Sequence, residues 1–443
     1  MSIFPSEFLL KKYVFFAKNT LTNQIRFAIM FPYCKAVNSI ANTKGCYNMD
    51  NKFHMSGWVY LHADQLTVDE VDEWAKAGFT TIMSPEVGLH EVEKLIPYLD
   101  RAEKCGIQLL ANVMGVGYHV YPGLGEEGYT KRFTEVYEKL KGHPALYGFH
   151  CGDEPRKEAL EDAIEAIRIQ KLVAPELTPI INLRGSTCEM FSEKPGDTFV
   201  DWLKHFKERT GVDTYCWDSY SQMINDGGVT FHIDALKKHN YACKEAGMKN
   251  WVTLLSSAHW WFKYPTEYQF MWQITTAAAA GSTGVCWFRL YDKECAPDYH
   301  GSPVDEFGNK TEQFHRLKRC QRRFNDQFGL LWQKMHLKAT YLTGFPRMSY
   351  SMFNEYCHDV IKKLNIFEEC MISFFEDDEG KEYFAIVNIE MEQPVSVNME
   401  FDSSKAKLTR LDCNGTIQRS IDADDDLLDL YPGQMLLYRI DRK

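Results

Sequence analysis

One unit recurs along the chain from residue 57 onward: a short apolar run, then an amphipathic helical pattern. No other feature limits the possible folds as much. The runs are WVYLHA (58–63), TTIMSP (80–85), IQLLANVMG (107–115), ALYGFHCG (145–152), TPIINLRG (178–185), VDTYCWDSY (212–220), WVTLLSSAHW (251–260) and GVCWFRLYD (284–292). Between them stand stretches such as TVDEVDEWAKAG and PRKEALEDAIEAIRIQKLV, whose apolar residues fall three to four apart. The helical patterns open on cap residues or proline and close on glycine, as in WAKAG and EKCG. Eight alternations over about 280 residues predict a (β/α)8 barrel. A doubly wound open sheet is the rival, but it usually carries a glycine-rich loop after its first strand, and YLHADQL has no glycine.

After about residue 335 the helices stop. MISFFEDD, KEYFAIVNIE, VSVNMEF and AKLTRLD alternate, joined by turns such as DCNGT, and the chain closes with GQMLLYRI. The expected organisation is a barrel over 49–335 and a C-terminal antiparallel β-sandwich over 336–443. Residues 1–48 differ from both. They hold six Lys or Arg and one acid, Glu7, so the net charge of −11 divides into +5 there and −16 in the remainder. Lys11 and Lys12 split the apolar patches FLL and YVFFA, which is a poor signal peptide. The expectation is that translation begins at Met49, or that 1–48 is a loosely attached basic extension.

With 45% hydrophobic residues among 443, the chain can bury a large core. Net acidity without a basic stripe speaks against a nucleic-acid partner or an anionic membrane surface, and no apolar run approaches the roughly 18 residues needed to span a bilayer. Thirteen cysteines, with no CxxC pair, give neither a disulfide framework nor a zinc spacing. They read as small reduced hydrophobes, and the expected compartment is the cytoplasm. Oligomeric state is not legible.

A barrel gathers its chemistry where its strands end. The residues there are His62 and Asp64; Ser84 and Glu86; Asn112; Asp153 and Glu154; Asn182 and Arg184; Asp218 and Tyr220; Ser257 and His259; and Trp287, Arg289 and Asp292. Carboxylates beside Trp and Tyr suit a carbohydrate: the acids exchange protons at the glycosidic oxygen, and aromatic faces stack on sugar C–H groups. Bland readings stand beside these. Asp153 and Glu154 precede Pro155, so they read equally as acids at a helix N-terminus. Asp218 reads as a turn residue, and His259 as a structural histidine. Trp260, Trp261, Phe262 and Tyr264 are not helically spaced, so some of them are expected to line a cleft. No HxxxH or HExxH spacing supports a zinc site, and no cofactor is expected.

HPALYGFHCGDEP resembles the fourth strand of clan A glycoside hydrolases and of relatives of the family 42 β-galactosidases, where an Asn-Glu or Asp-Glu pair precedes proline. VDTYCWDSY, PTEYQFMWQITTAAAAGSTGVCWFRLYD and the terminal β-sandwich also resemble such enzymes. The resemblance implies that Glu154 is the general acid/base and that Asp153 stands in for the orienting Asn. Those enzymes place a nucleophilic Glu at the end of strand seven, where this chain has Ser256, Ser257 and His259. Asp218 is the expected second carboxylate, with Asp292 behind it. Glu86, Asn112, Asn182, Arg184, Tyr220, His259, Trp260, Trp287 and Asp292 are the expected sugar contacts. HCGDE also resembles the family 20 hexosaminidases, which implies a substrate-assisted alternative with Asp153 orienting a 2-acetamido group and Glu154 as the acid. Two further alternatives are a metal-dependent sugar isomerase or epimerase using Glu154, Asp218, His259 and Asp292, and a non-catalytic carbohydrate-binding descendant.

Overall fold

The computed structural model describes residues 53–293, 298–332, 334–347, 350–412, 416–421 and 426–443. The basic segment 1–48 and Met49 lie outside the described residues. Eight strands, β1 (His54–Gly57), β2 (Thr81–Val87), β3 (Gln108–Val113), β4 (Leu146–Asp153), β5 (Ile180–Leu183), β6 (Thr214–Asp218), β7 (Lys249–Leu255) and β8 (Gly284–Phe288), pair in parallel in the order β1-β8-β7-β6-β5-β4-β3-β2. The two ends of that sheet meet: Thr80 N–H donates to the Met55 carbonyl at 2.9 Å and Glu86 N–H to that of Leu61 at 2.8 Å. Helices α1 (Glu70–Ala77), α2 (Ile96–Cys105), α3 (Tyr121–Tyr137), α4 (Leu160–Val173), α5 (Phe199–Thr210), α6 (Asp226–Ala246), α7 (Glu267–Ala280) and α8 (Glu312–Trp332) follow the strands one by one. This is a (β/α)8 barrel.

Alternation along each strand decides what faces the interior. On β6, Cys216 and Asp218 point inward, while Trp217 points out and stacks on His239 of α6 with ring centroids 3.9 Å apart. On β8, Trp287 points outward against Phe270 of α7 and donates to Gln321 Oε1 of α8 at 3.0 Å. The first strand begins four residues earlier than the sequence predicts. Its HMSG stretch is polar but fully buried, with His54 Nδ1 and Thr81 Oγ1 3.0 Å apart across the ring. The ladder continues to Trp58, whose N–H donates to the Trp287 carbonyl at 2.9 Å, and Tyr60 then turns the chain at φ 53°.

Nine antiparallel strands follow in two sheets. The larger has the order β9 (Met335–Leu342), β11 (Cys370–Asp377), β12 (Glu382–Asn388), β17 (Met435–Arg442), β14 (Ala406–Asp412), β15 (Thr416–Ile421); the smaller has the order β10 (Ile361–Asn365), β13 (Val395–Phe401), β16 (Asp426–Leu430). Ile372, Phe374, Phe384 and Ile440 face the smaller sheet and form one core with Val397 and Phe401. Met371, Phe375, Tyr383 and Leu437, on the opposite face of the same strands, join the barrel's core. That explains α7, every residue of which from Phe270 to Ala280 is buried: it lies between barrel and sheet, so no face needs to be polar. A reciprocal cap at Thr266 and Gln269 starts this helix, and Gly281 at φ 106° ends it. No described helix is long and apolar enough to cross a membrane.

Candidate active site

At the C-terminal ends of the strands, β4, β5 and β6 place Asp153, Asn182 and Asp218 side by side inside the barrel mouth. One amide links the two acids. Asn182 Nδ2 donates to Asp153 Oδ1 at 2.8 Å and to Asp218 Oδ2 at 3.2 Å, which holds those oxygens no more than about 6 Å apart. The orientation of the amide is fixed from its other side, where the Thr253 hydroxyl of β7 donates to Asn182 Oδ1 at 3.1 Å. Thr253 Oγ1 in turn lies 3.1 Å from Cys216 Sγ. With its oxygen satisfied, Asn182 turns both N–H donors toward the carboxyls.

Glu154 lies just past the strand, in the left-handed region at φ 43°, and its N–H is held by the Asn182 carbonyl at 2.9 Å. Arg184, two residues beyond Asn182, donates to Glu154 Oε2 from Nε at 3.1 Å and from Nη2 at 2.6 Å. The Glu154 charge also acts on the Asp218 carboxyl. Gly185 N–H donates to Asp218 Oδ1 at 3.2 Å. The helix-start reading of the DE pair does not match this geometry: α4 begins at Leu160, and the one-turn segment before it is led by Arg156 without a side-chain cap.

Burial separates the three acids. Asp218 is 8% exposed, and burial together with the neighbouring Glu154 and Asp153 charges pushes its carboxyl well above the usual range. Asp153 still meets solvent at the mouth but is enclosed by protein on its other sides; burial raises it to about 6, against the pull of Asn182 and with a push from Glu154. The Glu154 side chain is 37% exposed, so of the pair Glu154–Asp218 it is the member a ligand can touch. Tyr60 and Tyr220 border the cluster, and their phenols are held well above the usual range, first by burial and then by these same acids.

An aromatic wall continues outward. Phe288 packs on Tyr60, Tyr220 and His259 at centroid distances of 6.0, 5.6 and 5.4 Å. Trp260 and Trp261 beyond it are 60% and 66% exposed. His259 is buried in this wall, stacked on Tyr299, and burial lowers its imidazole to about 4, so it is neutral near pH 7. Glu86 of β2 pairs in register with Asn112 of β3, and its charge favours the Lys293 ammonium.

Asp153, Glu154, Asn182, Arg184 and Asp218 thus form one bonded network with Tyr220 beside it. Two expected contacts lie elsewhere. Trp287 faces the helices because its neighbours Cys286 and Phe288 take the inward positions. Asp292 is committed to its own loop, accepting from Ser302 N at 3.2 Å and Ser302 Oγ at 2.6 Å. Tyr60, Thr253 and Lys293 belong to the site, although the sequence did not single them out. The end of β7 offers no carboxylate; Ser256 Oγ donates to the Arg289 carbonyl at 3.0 Å.

The four residues of a metal-dependent isomerase do not form one ligand set, since His259 stacks and Asp292 is engaged. Among the described residues, ligand-type atoms gather at His62, Asp64 and Glu91, and Lys94 Nζ fills that gap at 2.8 Å from Asp64 Oδ1 and 2.6 Å from Glu91 Oε1. A cavity of about 940 Å³ lies at the other end of the barrel, bordered by Phe53, His54, Trp251, Trp332 and Phe375. Barrel chemistry belongs to the opposite face, where the carboxyls are.

No family model and no curated protein matches the chain. Solved structures do match its fold. A family 5 glycoside hydrolase from Bacteroides vulgatus superposes with a TM-score of 0.58 at 11% identity, covering 88% of this chain and 89% of that one. A cold-adapted β-galactosidase from Rahnella sp. R3 superposes at 0.55 with 10% identity, covering 87% and 98%. A structure described as a glycoside hydrolase gives 0.53 at 12% identity, covering 88% and 92%. The chain therefore has the barrel-and-sheet fold of glycoside hydrolases. At such identities the likeness concerns the fold alone.

Proposed function

We propose that this chain is a glycoside hydrolase that cleaves O-glycosidic bonds at the barrel mouth, with Glu154 as general acid/base. The observation that carries the reading is the Glu154–Asp218 pair. Burial and the neighbouring Glu154 and Asp153 charges push the Asp218 carboxyl well above the usual range, so it holds a proton beside Glu154. Asp218 is buried and Glu154 is not, so Glu154 is the member that hands this proton to a leaving-group oxygen. Asp218 then enters as the partner that keeps the proton available. The nucleophilic part the sequence suggested for it needs an anion, and its raised carboxyl argues against that. Asp153, with a carboxyl near 6, supplies negative charge toward an oxocarbenium-like transition state. Tyr60, Tyr220 and Trp260 offer ring faces for the sugar.

One observation favours a second reading. The end of β7 carries no carboxylate, while Asp153 sits next to Glu154 with its own amide partner. That pair suits substrate-assisted cleavage of a 2-acetamido sugar, Asp153 orienting the acetamido group. A panel of 4-nitrophenyl glycosides on purified protein tests both. Turnover confined to 2-acetamido sugars selects the second reading, turnover of other glycosides selects the first, and turnover of none removes both.

A further inference from the structure

Arg289 follows β8 at the barrel mouth and is 5% exposed, yet its Nε and Nη2 have no hydrogen-bond partner among the described residues. The Asp292 carboxylate is 3.8 Å from Nη2 and is already bonded twice by Ser302. The guanidinium rests on the Tyr299 ring, 4.6 Å from its centroid, and burial lowers its pKa. A buried cation lacking acceptors is disfavoured on its own and is at ease only when an anion arrives. Nε and Nη2 share one edge of the guanidinium, the edge that meets both oxygens of a carboxylate in parallel.

The surroundings repeat the signal. His259, stacked on the same Tyr299 at 5.1 Å, has an Nδ1 without a partner. Lys293 lies 5.7 Å over the Tyr60 ring and shares the field of Arg289. Tyr60 feels the charges of Asp153, Asp218 and Glu154 and carries Lys293 over its ring, so the cations and the carboxyl cluster act on the same side chain.

We propose that Arg289, assisted by Lys293, receives an anionic substituent of the sugar, so that the substrate is an acidic glycoside carrying a carboxylate, a uronide. This rests on the reading of the barrel mouth as a glycosidase site. In this arrangement the scissile oxygen of the sugar faces Glu154 and its carboxylate faces the unpartnered edge of Arg289. Sulfate and phosphate esters share the anionic chemistry and can meet the same guanidinium edge, so the titration includes them beside the uronates.

Calorimetric titration with D-glucuronate, D-galacturonate, their neutral parents, and a 6-sulfated and a 6-phosphorylated hexose tests the receptor apart from turnover. At least one uronate is expected to bind tenfold or more tightly than its parent and than the esters. Arg289→Gln is expected to remove that preference while the melting temperature holds or rises, because the variant removes a buried charge poorly supplied with acceptors. Arg289→Lys keeps the charge but loses the fork, and is expected to weaken uronate binding tenfold or more. Equal affinity for neutral sugars and uronates, a preference for the esters, or unchanged uronate binding in Arg289→Gln overturns the proposal. Turnover of neutral glycosides but not uronides overturns it too and leaves the glycosidase reading standing. Uronate binding without turnover of any aryl glycoside keeps the receptor and removes the glycosidase reading.

Discussion

Asp218 holds its proton because burial, and then the neighbouring Glu154 and Asp153 charges, push its carboxyl well above the usual range. Replacing Asp218 by Asn removes the repulsion and keeps an oxygen for the Gly185 N–H. With no proton at this position, the high-pH limb that Asp218 sets in a pH–rate profile is expected to disappear or move in Asp218→Asn. An unmoved limb would mean that the Asp218 proton takes no part in turnover. Asp153 leads to a stability effect with the sign worked out as follows. Its folded carboxyl titrates near 6, above the roughly 3.9 of an unfolded chain, so ionising it disfavours the folded state above pH 6 and the effect is gone below about 4. Asn at this position still accepts from Asn182. Asp153→Asn is therefore expected to raise the melting temperature at pH 7.5 by about 1–3 °C, a figure kept small because solvent reaches the group, and to leave it unchanged at pH 4. Calorimetric scans at the two pH values read this directly.

The ends of β5 and β6 approach so closely that a Cβ on Gly185 would lie 2.4 Å from the Asp218 carbonyl oxygen. Gly185→Ala has to push β6 aside, carrying Asp218 away from Asn182 and Glu154. It is expected to cut turnover at least tenfold with the barrel still folded by circular dichroism; full activity in this variant would show that the register of these two strands does not set the site. Much at this level was legible in the sequence. Strands buried between an interior and a helical layer read as apolar runs, and the helices between them carry caps and closing glycines. The first strand was misplaced for the same reason in reverse: β1 carries polar His54 and Ser56 into the barrel, while the apolar WVYL run belongs mostly to its exit. Trp287 was assigned to the cleft from its place near a strand end, although its parity against Cys286 and Phe288 points it at the helices. Parity on β7 likewise signals Thr253, which stands in register with Asp218. Tyr60 gave no signal, because its position depends on a backbone turn at positive φ that its sequence does not require.

Barrel and sheets share a core. Trp332 of α8 meets Phe375 of β11 at a centroid distance of 5.0 Å, Trp272 of α7 donates to the Ile389 carbonyl at 2.9 Å, and Thr275 donates to that of Gly433 at 2.8 Å. Gly433, at φ 70°, lets its turn touch the α7 backbone, where a Cβ would lie 2.4 Å from Trp272 N. Trp332→Ala is expected to cost about 3–5 kcal/mol and to lower a single calorimetric transition for both parts together; two separate transitions would contradict a shared core. The alternating pattern of the C-terminal strands was legible, but not that both faces of the larger sheet are buried, since that depends on which helices meet it. The acids were legible but not the difference between them on which the proposed roles rest, because the burial of Asp218 and the exposure of Glu154 depend on the fold. Those roles are tested most directly by Glu154→Gln on 4-nitrophenyl and alkyl glycosides of the same sugar. Removing the proton donor is expected to slow alkyl leaving groups by about a thousandfold or more while activated aryl substrates lose far less. An equal loss on both would contradict Glu154 as the general acid.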